Sequence, residues 1–204
     1  MRAPAPVLLI ATTNPGKFRE FAELLQGAPV TVESLIGRAD APSVPEDGST
    51  YLENARAKAL AIARWSGCAA LGDDSGLEVD ALGGAPGIHS ARYAGSAQDS
   101  HANLAKLLQA LAGVPEAQRT ARYRCVIVVA RPAGQTLAAE GSCEGRITAA
   151  PCGSGGFGYD PVFFYLPASV TFAELPAVLK NQVSHRGRAC AQLRERLMEF
   201  VRLV

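Results

Sequence analysis

The first third of the chain carries a short apolar run followed by apolar positions at helical spacing. Residues Val7 to Ala11 are all apolar, which predicts a buried strand. A turn containing Pro15 and Gly16 follows. The apolar residues beyond it recur every three or four positions: Phe18, Phe21, Leu24 and Leu25. This pattern predicts that the fold opens with a strand, a loop and a helix.

The next segment has the features of a second helix and two short strands. Thr50 and Glu53 have the spacing of a capping box, which predicts a helix start. The apolar stripe of this helix is formed by Leu52, Ala55, Ala59 and Ile62. A strand over residues 69–71 is then expected to lead into an acidic turn over residues 72–76, with a half-exposed strand after it.

The remaining pattern adds a helix, two strands and a C-terminal helix. A third helix is predicted over residues 100–112, and two strands over residues 123–130 and 135–144. The last helix is marked by Ala189, Leu193, Leu197 and Phe200. Helices and strands alternate early, and strands cluster in the middle. The pattern therefore favours a single α/β domain over residues 1–204 with a mixed sheet rather than a purely doubly wound one.

Composition and charge narrow the class of partner. Of 204 residues, 48% are apolar and 19% are charged, and the net charge of +1 gives no electrostatic reason to expect a nucleic-acid coat or a membrane-surface binder. The longest apolar runs are five and six residues, far below the ~20 of a transmembrane helix. The N-terminal apolar stretch is also too short for a signal-peptide core. We therefore expect a cytoplasmic protein that binds a small molecule and neither nucleic acid nor membrane.

The five cysteines, an odd number, include no CxxC pair. This argues against a disulfide scaffold and against a structural zinc site. The cysteines are instead interpreted as small buried hydrophobic residues in a reducing compartment.

The loop from Thr12 to Lys17 precedes the first predicted helix and could bind an anion. Asn14 is suited to cap that helix and Pro15 to occupy its first position, so an ordinary helix start also explains these residues. The free amides and the positive dipole end of the helix would favour a phosphate, and Thr12, Thr13 and Lys17 add donors. The segment does not match the Walker pattern, which excludes P-loop chemistry.

Three carboxylates are candidates for holding a hard cation. Glu46, Asp73 and Asp74 provide the oxygen ligands that Mg²⁺ takes together with waters and substrate phosphates. An ordinary acidic turn explains the aspartate pair equally well. Glu53 is assigned to the capping box instead, and Asn54 and Lys58 are four positions apart on one helix face.

A glycine-rich loop and a downstream basic cluster could recognise a flat ring. The loop contains Phe157, Gly158, Tyr159 and Asp160, where an aromatic ring could stack on a nucleobase. A tight turn that anchors core residues is the alternative. Further along the chain, a donor-rich cluster could bind a carbonyl or a phosphate oxygen: Lys180, His185 and Arg186.

In this order and spacing, the motifs closely resemble those of the inosine triphosphate pyrophosphatase family in its bacterial, dITP/XTP-hydrolysing form. The resemblance extends from about Leu8 to the final helix. The matching segments are residues 12–17, Glu46, residues 53–55, residues 73–77, residues 83–87, residues 90–93, residues 155–161 and residues 184–187.

The resemblance implies an elongated mixed sheet with flanking helices that form two lobes around a central cleft, in a homodimer. It implies Mg²⁺-dependent hydrolysis of ITP, dITP and XTP to the monophosphate and pyrophosphate. Asp74 would accept a proton and bind the metal, Glu46 would be a second metal ligand, and Lys58 would act near the phosphates. Residues 12–17 would bind the triphosphate and Ser75 the substrate. The nucleoside pocket would comprise residues 157–160, Lys180, His185 and Arg186.

The sequence is also compatible with two other functions. One is a pyrophosphatase for modified pyrimidine nucleotides, against which the cluster of Lys180, His185 and Arg186 speaks. The other is a module that senses purine triphosphates without cleaving them, against which the pair Asp73 and Asp74 speaks.

Overall fold

The computed structural model describes residues 5–95 and 99–202 and has a mixed α/β fold. Its five α-helices are α1 (Pro15–Leu24), α2 (Tyr51–Ser66), α3 (Ser100–Ala110), α4 (Ala177–Val183) and α5 (His185–Arg202). Its strands are β1 (Val7–Ile10), β2 (Thr31–Ser34), β3 (Ala69–Val79), β4 (Thr120–Ala130), β5 (Thr136–Ile147), β6 (Phe163–Tyr165) and β7 (Val170–Thr171). The predicted α/β class with a mixed sheet is confirmed.

The seven strands form one sheet in the order β2-β1-β3-β4-β5-β6-β7. β1 runs parallel to β2 and to β3, whereas β5–β6 and β6–β7 are antiparallel pairs. The parallel half follows from the early alternation of strands and helices, because a parallel neighbour needs a crossover connection. The antiparallel pairs are formed by β5, β6 and β7, which follow one another along the chain with no α-helix between them.

The chain divides into two compact units. Unit 1 comprises residues 1–74, 125–141 and 186–204, and unit 2 comprises residues 75–124 and 142–185. The expectation of one domain over residues 1–204 stays a prediction. That expectation and the one about an export signal also involve residues 1–4, which lie outside the described residues.

Each unit has its own hydrophobic core. In unit 1, β1, β3 and β4 pack with α1 and α5, burying side chains such as Leu8, Phe21, Leu71, Ile127 and Leu193. The predicted stripe of the C-terminal helix is confirmed, since Ala189, Leu193 and Leu197 are buried. These side chains recur every four residues, so they line one face of the helix.

The core of unit 2 is richer in aromatic residues. Tyr123, Tyr159, Phe163 and Phe172 are buried there together with apolar side chains of β3, α3 and β5. The rings of Phe163 and Phe172 meet edge to face with centroids 4.7 Å apart, an arrangement that favours rigid packing.

The helix starts predicted from capping residues are confirmed. The Asn14 side chain accepts a hydrogen bond from the Lys17 backbone N–H (3.1 Å), and Thr50 accepts one from Glu53 (3.2 Å). Glu53 is indeed a capping residue, but its carboxylate accepts from the backbone N–H of Ser49 (2.7 Å). The apolar stripe of α2 is wrong at one position, because Leu52 is exposed while Ala55, Ala59 and Ile62 are buried.

The predicted acidic turn over residues 72–76 is wrong. These residues form the middle of β3, an unbroken strand of 11 residues. Gly72 suggested a turn, but it permits close packing: a Cβ atom there would overlap the Ala55 carbonyl oxygen and lie 2.7 Å from the Ala59 nitrogen. The glycine is required because α2 packs directly against the strand.

Within the described ranges, no helix is both long enough and apolar enough to cross a membrane.

Candidate functional site

Asp73 and Asp74 are the centre of a charged cluster in unit 1. They are consecutive residues of β3, and successive side chains of a strand point to opposite faces of the sheet. Both are almost fully buried. The strand therefore separates the acidic pair, and each carboxylate meets a different set of partners.

Asp73 is paired with cations from α1 and α5. Its two carboxylate oxygens each accept a hydrogen bond of 3.1 Å from Lys17 Nζ, and Arg186 Nη2 lies 3.5 Å away. Arg186 is also ion-paired with Glu20 of α1. Burial alone would raise the pKa of Asp73, but Lys17, Arg186 and Lys58 outweigh it and hold that pKa well below its usual range.

Asp74 faces α2, and its surroundings shift its pKa in the opposite direction from that of Asp73. Its Oδ2 accepts a hydrogen bond from Asn54 Nδ2 (2.9 Å), and its Oδ1 lies 3.8 Å from Lys58 Nζ. Burial raises the pKa of Asp74, although Lys58 and Asn54 oppose the shift. A carboxylate with a raised pKa is a better proton acceptor than an ordinary aspartate, which fits a general base.

Lys58 links Asp74 to Glu46. Its Nζ donates a 2.8 Å hydrogen bond to Glu46 Oε1, and its side chain is nine-tenths buried. Burial alone would lower the pKa of Lys58, but Asp73, Asp74 and Glu46 raise it overall, so the ammonium is charged. The two predicted metal ligands, Glu46 and Asp74, therefore both contact the ammonium of Lys58.

The donor set fits a hard divalent cation held by few protein ligands. Glu46 and Asp74 supply carboxylate oxygens, and about a third of the Glu46 side chain is exposed. No group of three or more His, Cys, Asp or Glu side chains suited to a metal exists among residues 5–95 and 99–202. Glu46 and Asp74 are two carboxylates, and a hard cation such as Mg²⁺ is usually bound through one or two carboxylates together with waters and phosphates.

The loop before α1 lies partly at the surface. Thr13, Asn14 and Pro15 are exposed, and Thr12 Oγ1 accepts a hydrogen bond from the Asn14 backbone N–H (3.2 Å). Gly16 and Lys17 are half-buried. The helix start and the Lys17 ammonium that contacts Asp73 therefore belong to one short segment.

A second cluster surrounds Asp160 in unit 2. Asp160 Oδ2 accepts hydrogen bonds from Lys180 Nζ (2.6 Å) and from the Phe157 backbone N–H (2.9 Å). Both side chains of the Lys180–Asp160 ion pair are buried, and the ammonium lies 5.2 Å from the centre of the Phe157 ring. The carboxylate thus holds the glycine-rich loop against α4, while Gly158 follows in the same loop.

Aromatic stacking orients His185. Its imidazole lies against the Tyr123 ring, with centroids 4.6 Å apart and planes 11° from parallel. The Tyr123 hydroxyl donates a 3.3 Å hydrogen bond to Asp160 Oδ1. Tyr123 therefore joins two of the predicted nucleoside-pocket residues.

The remaining predicted residues have other surroundings. Arg186 belongs to unit 1 and contacts Asp73 and Glu20, whereas His185, the preceding residue, belongs to unit 2. The Tyr159 hydroxyl donates to the Ser90 carbonyl (2.8 Å) and its ring is in the core. Ser75 is half-buried in β3, directly after Asp74.

Sequence reasoning missed two contributors to these clusters. Glu20 is three positions after Lys17 on α1, so a carboxylate on the helix face of that lysine was a usable signal. Tyr123 had no such signal, because a tyrosine within an apolar strand reads as core. All five cysteines are free thiols; Cys125, Cys143 and Cys190 are buried and Cys152 is exposed.

The mixed sheet and the carboxylate–ammonium cluster of unit 1 define an α/β protein with a charged candidate site. A family model described as the Ham1 family matches residues 8–196. The chain is 52% identical over 194 residues to a dITP/XTP pyrophosphatase of Geobacillus kaustophilus, covering 95% of each chain. It is 53% identical to one of Desulforamulus reducens, covering 92% of this chain and 94% of that relative. It also superposes on a HAM1 protein from Coxiella burnetii with a TM-score of 0.85 and 38% identity, covering 95% of this chain and 99% of that one. The chain belongs to the Ham1 family.

Proposed function

We propose that this protein hydrolyses non-standard purine nucleoside triphosphates, namely ITP, dITP and XTP, to the monophosphate and pyrophosphate, and so cleanses the nucleotide pool. The relatives that carry the name dITP/XTP pyrophosphatase align over nearly their whole length, which supports this activity. The observation that carries the chemistry is the cluster in which Asp74 and Glu46 contact the Lys58 ammonium.

In the proposed reaction, water attacks the α-phosphorus. The water oxygen forms a bond to that phosphorus, the bond to the bridging oxygen of the β-phosphate breaks, and pyrophosphate leaves. Asp74 accepts the proton of the water, a role that its raised pKa supports. Lys58 and Lys17 offset the negative charge that builds up on the phosphates, while Thr12, Thr13 and the start of α1 bind the triphosphate.

Glu46 and Asp74 would hold Mg²⁺. The bound ion would neutralise phosphate charge and favour the departure of pyrophosphate. The shared contact of Glu46 and Asp74 with the Lys58 ammonium supports this assignment, because it brings the two carboxylates to the same place.

Base selection is assigned to hydrogen-bond donors. Hypoxanthine and xanthine have a 6-oxo acceptor where adenine has a 6-amino donor, so donors such as His185 and Arg186 would be left unpaired against ATP. Lys180, Ser75 and residues 157–160 complete the proposed substrate contacts. Arg186 is paired with Asp73 and Glu20, next to the proposed phosphate-binding residue Lys17. This arginine is therefore also a candidate for contact with the substrate phosphates.

We further propose that the protein acts as a homodimer in the cytoplasm and binds neither nucleic acid nor membranes. Family resemblance is the basis of these proposals. Sedimentation equilibrium of the purified chain would measure the dimer directly.

The activity is tested by incubating the purified protein with ITP, ATP or TTP and Mg²⁺ and measuring released pyrophosphate. We expect rapid release from ITP and little from ATP or TTP. Preferential hydrolysis of TTP would instead identify a pyrimidine enzyme. Tight binding of ITP without turnover would identify a sensor and overturn the proposed hydrolysis.

A further inference from the structure

Asn54 is a buried polar side chain for which the proposed chemistry has no role. It lies in the first turn of α2 and is 1% exposed. A buried amide must have its hydrogen bonds satisfied, because an unpaired buried polar group strongly destabilises the fold. The partners of Asn54 are therefore informative.

The amide of Asn54 connects the two segments that carry the proposed metal ligands. Its Oδ1 accepts a 2.8 Å hydrogen bond from the backbone N–H of Gly48, two residues after Glu46. Its Nδ2 donates a 2.9 Å hydrogen bond to Asp74 Oδ2. An N–H group only donates and a carboxylate only accepts, so the orientation of the amide is determined.

Close packing leaves the loop little freedom around this amide. A Cβ atom at Gly48 would lie 2.7 Å from Asn54 Oδ1 and 2.8 Å from the Glu53 Cβ. The loop backbone therefore lies directly against the side chain. Gly72, two residues before Asp74, likewise brings β3 close to α2.

The contact made by Asn54 differs in kind from the contact made by Lys58. Lys58, one helical turn further along α2, attracts both carboxylates by charge. Asn54 is neutral, and its hydrogen bond orients the Asp74 carboxylate. The bond is made to Oδ2, while Oδ1 faces the Lys58 ammonium. Its removal would change orientation without changing the charge of the cluster.

We propose that Asn54 is a positioning residue that sets the separation and orientation of Glu46 and Asp74 for a divalent cation. The inference rests on the proposed function, because it takes these two carboxylates as the metal ligands. Groups that orient metal ligands typically contribute about 10–100-fold to metal affinity.

The test measures Mn²⁺ binding to the protein without nucleotide, by electron paramagnetic resonance of the free ion. Asn54→Ala is compared with Asn103→Ala. Asn103 is also a buried asparagine, in unit 2, that accepts from the Ala94 N–H (2.6 Å) and donates to the Ala91 carbonyl (3.0 Å). Both variants lose two hydrogen bonds, but only Asn54 contacts a proposed ligand.

We expect Asn54→Ala to weaken Mn²⁺ binding about tenfold or more and Asn103→Ala to leave it within twofold of the wild type. Unfolding curves would show whether the two variants are similarly destabilised. Equal Mn²⁺ affinities of Asn54→Ala and Asn103→Ala would overturn the role of Asn54. If Asn54→Ala does not fold, Asn54→Gln and Asn103→Gln are compared under the same criterion.

Glu46→Gln separates this inference from the proposed function. If Glu46→Gln weakens Mn²⁺ binding and Asn54→Ala does not, the metal site stands and the inference about Asn54 is wrong. If Glu46→Gln binds Mn²⁺ as the wild type does, the proposed metal site is wrong and the inference falls with it.

Discussion

The two units bury charge in different ways. In unit 1, buried or half-buried acidic and basic side chains contact one another around Asp73 and Asp74. In unit 2, the buried pair Asp160 and Lys180 lies among aromatic rings. A cluster of several carboxylates and ammonium groups suits a cation and a polyphosphate, whereas a single ion pair among aromatic rings suits a rigid, flat surface. We expect that the unit 1 charges take part in the proposed reaction, and that the buried ion pair of unit 2 positions the residues of the proposed nucleoside pocket.

Asp74→Asn tests the chemical half of this comparison and has the largest expected effect. Loss of the proton acceptor should lower kcat for ITP hydrolysis about a thousandfold, with little change in the folded structure because the amide is isosteric. Pyrophosphate release and circular dichroism provide the measurements. Asp80→Asn is the control, since this exposed carboxylate of unit 2 contacts Arg122 and Thr120. Near-normal turnover in Asp74→Asn would refute the assignment.

Lys180→Met tests the structural half. It leaves Asp160 buried without its cation, which should reduce the free energy of unfolding by about 3–5 kcal/mol. Urea unfolding measures the loss. Arg38→Met breaks the exposed pair with Glu33 and should cost no more than about 1 kcal/mol. Similar losses in both variants would contradict a structural role for the buried pair.

In the Asp73→Asn variant, the free energy of unfolding should change less with pH in the acidic range than it does in the wild type. Because the pKa of Asp73 is lowered in the folded protein, its carboxylate stabilises the fold above the unfolded value of 3.8, and this contribution is lost as the pH falls further. The stability gap between wild type and variant should therefore be full at pH 7 and shrink below pH 3.8. We expect a smaller gap than for Lys180→Met, because Glu20 still balances Arg186. A gap that is constant with pH in urea titrations would be inconsistent with this role.

Tyr123→Leu should have the smallest effect. This variant tests whether the aromatic ring of Tyr123 orients His185. Loss of the stacked ring would leave His185 less well oriented, and an aromatic pair contributes about 0.5–1.5 kcal/mol. We expect up to about a tenfold lower kcat/KM for dITP and weaker discrimination against dATP. Tyr123→Phe, which keeps the ring, should resemble the wild type.

The control for Tyr123 is another ring of the same core. Tyr165 contacts Phe172 with ring centroids 5.9 Å apart. If Tyr165→Leu reduces discrimination as much as Tyr123→Leu, the effect is general loosening of the core rather than orientation of His185.

Local features of the sequence predicted much of the fold. The caps Asn14 and Thr50 were identified because a cap bonds to a backbone group only three residues away. The acidic segment after Gly72 was misread as a turn. That glycine is explained by the approach of α2, a contact between segments separated along the chain.

The candidate site shows the same division. The residue types at Lys17, Glu46, Lys58 and Asp74 were recognisable as a set, and the unit 1 fold brings the last three into contact. The pairing of Arg186 with Glu20 joins residues 166 positions apart, and no local pattern encodes such a partner.

The sequence by itself determined where α1 and α2 begin, which strands are buried and which side chains are candidates for the proposed chemistry, because these depend on neighbours within a few residues. Only the tertiary structure decided that Asp73 and Asp74 serve different partners, that Asn54 joins two carboxylate-bearing segments and that Tyr123 supports His185. Strand alternation sends adjacent carboxylates to opposite faces, and packing between distant segments selects what each one meets.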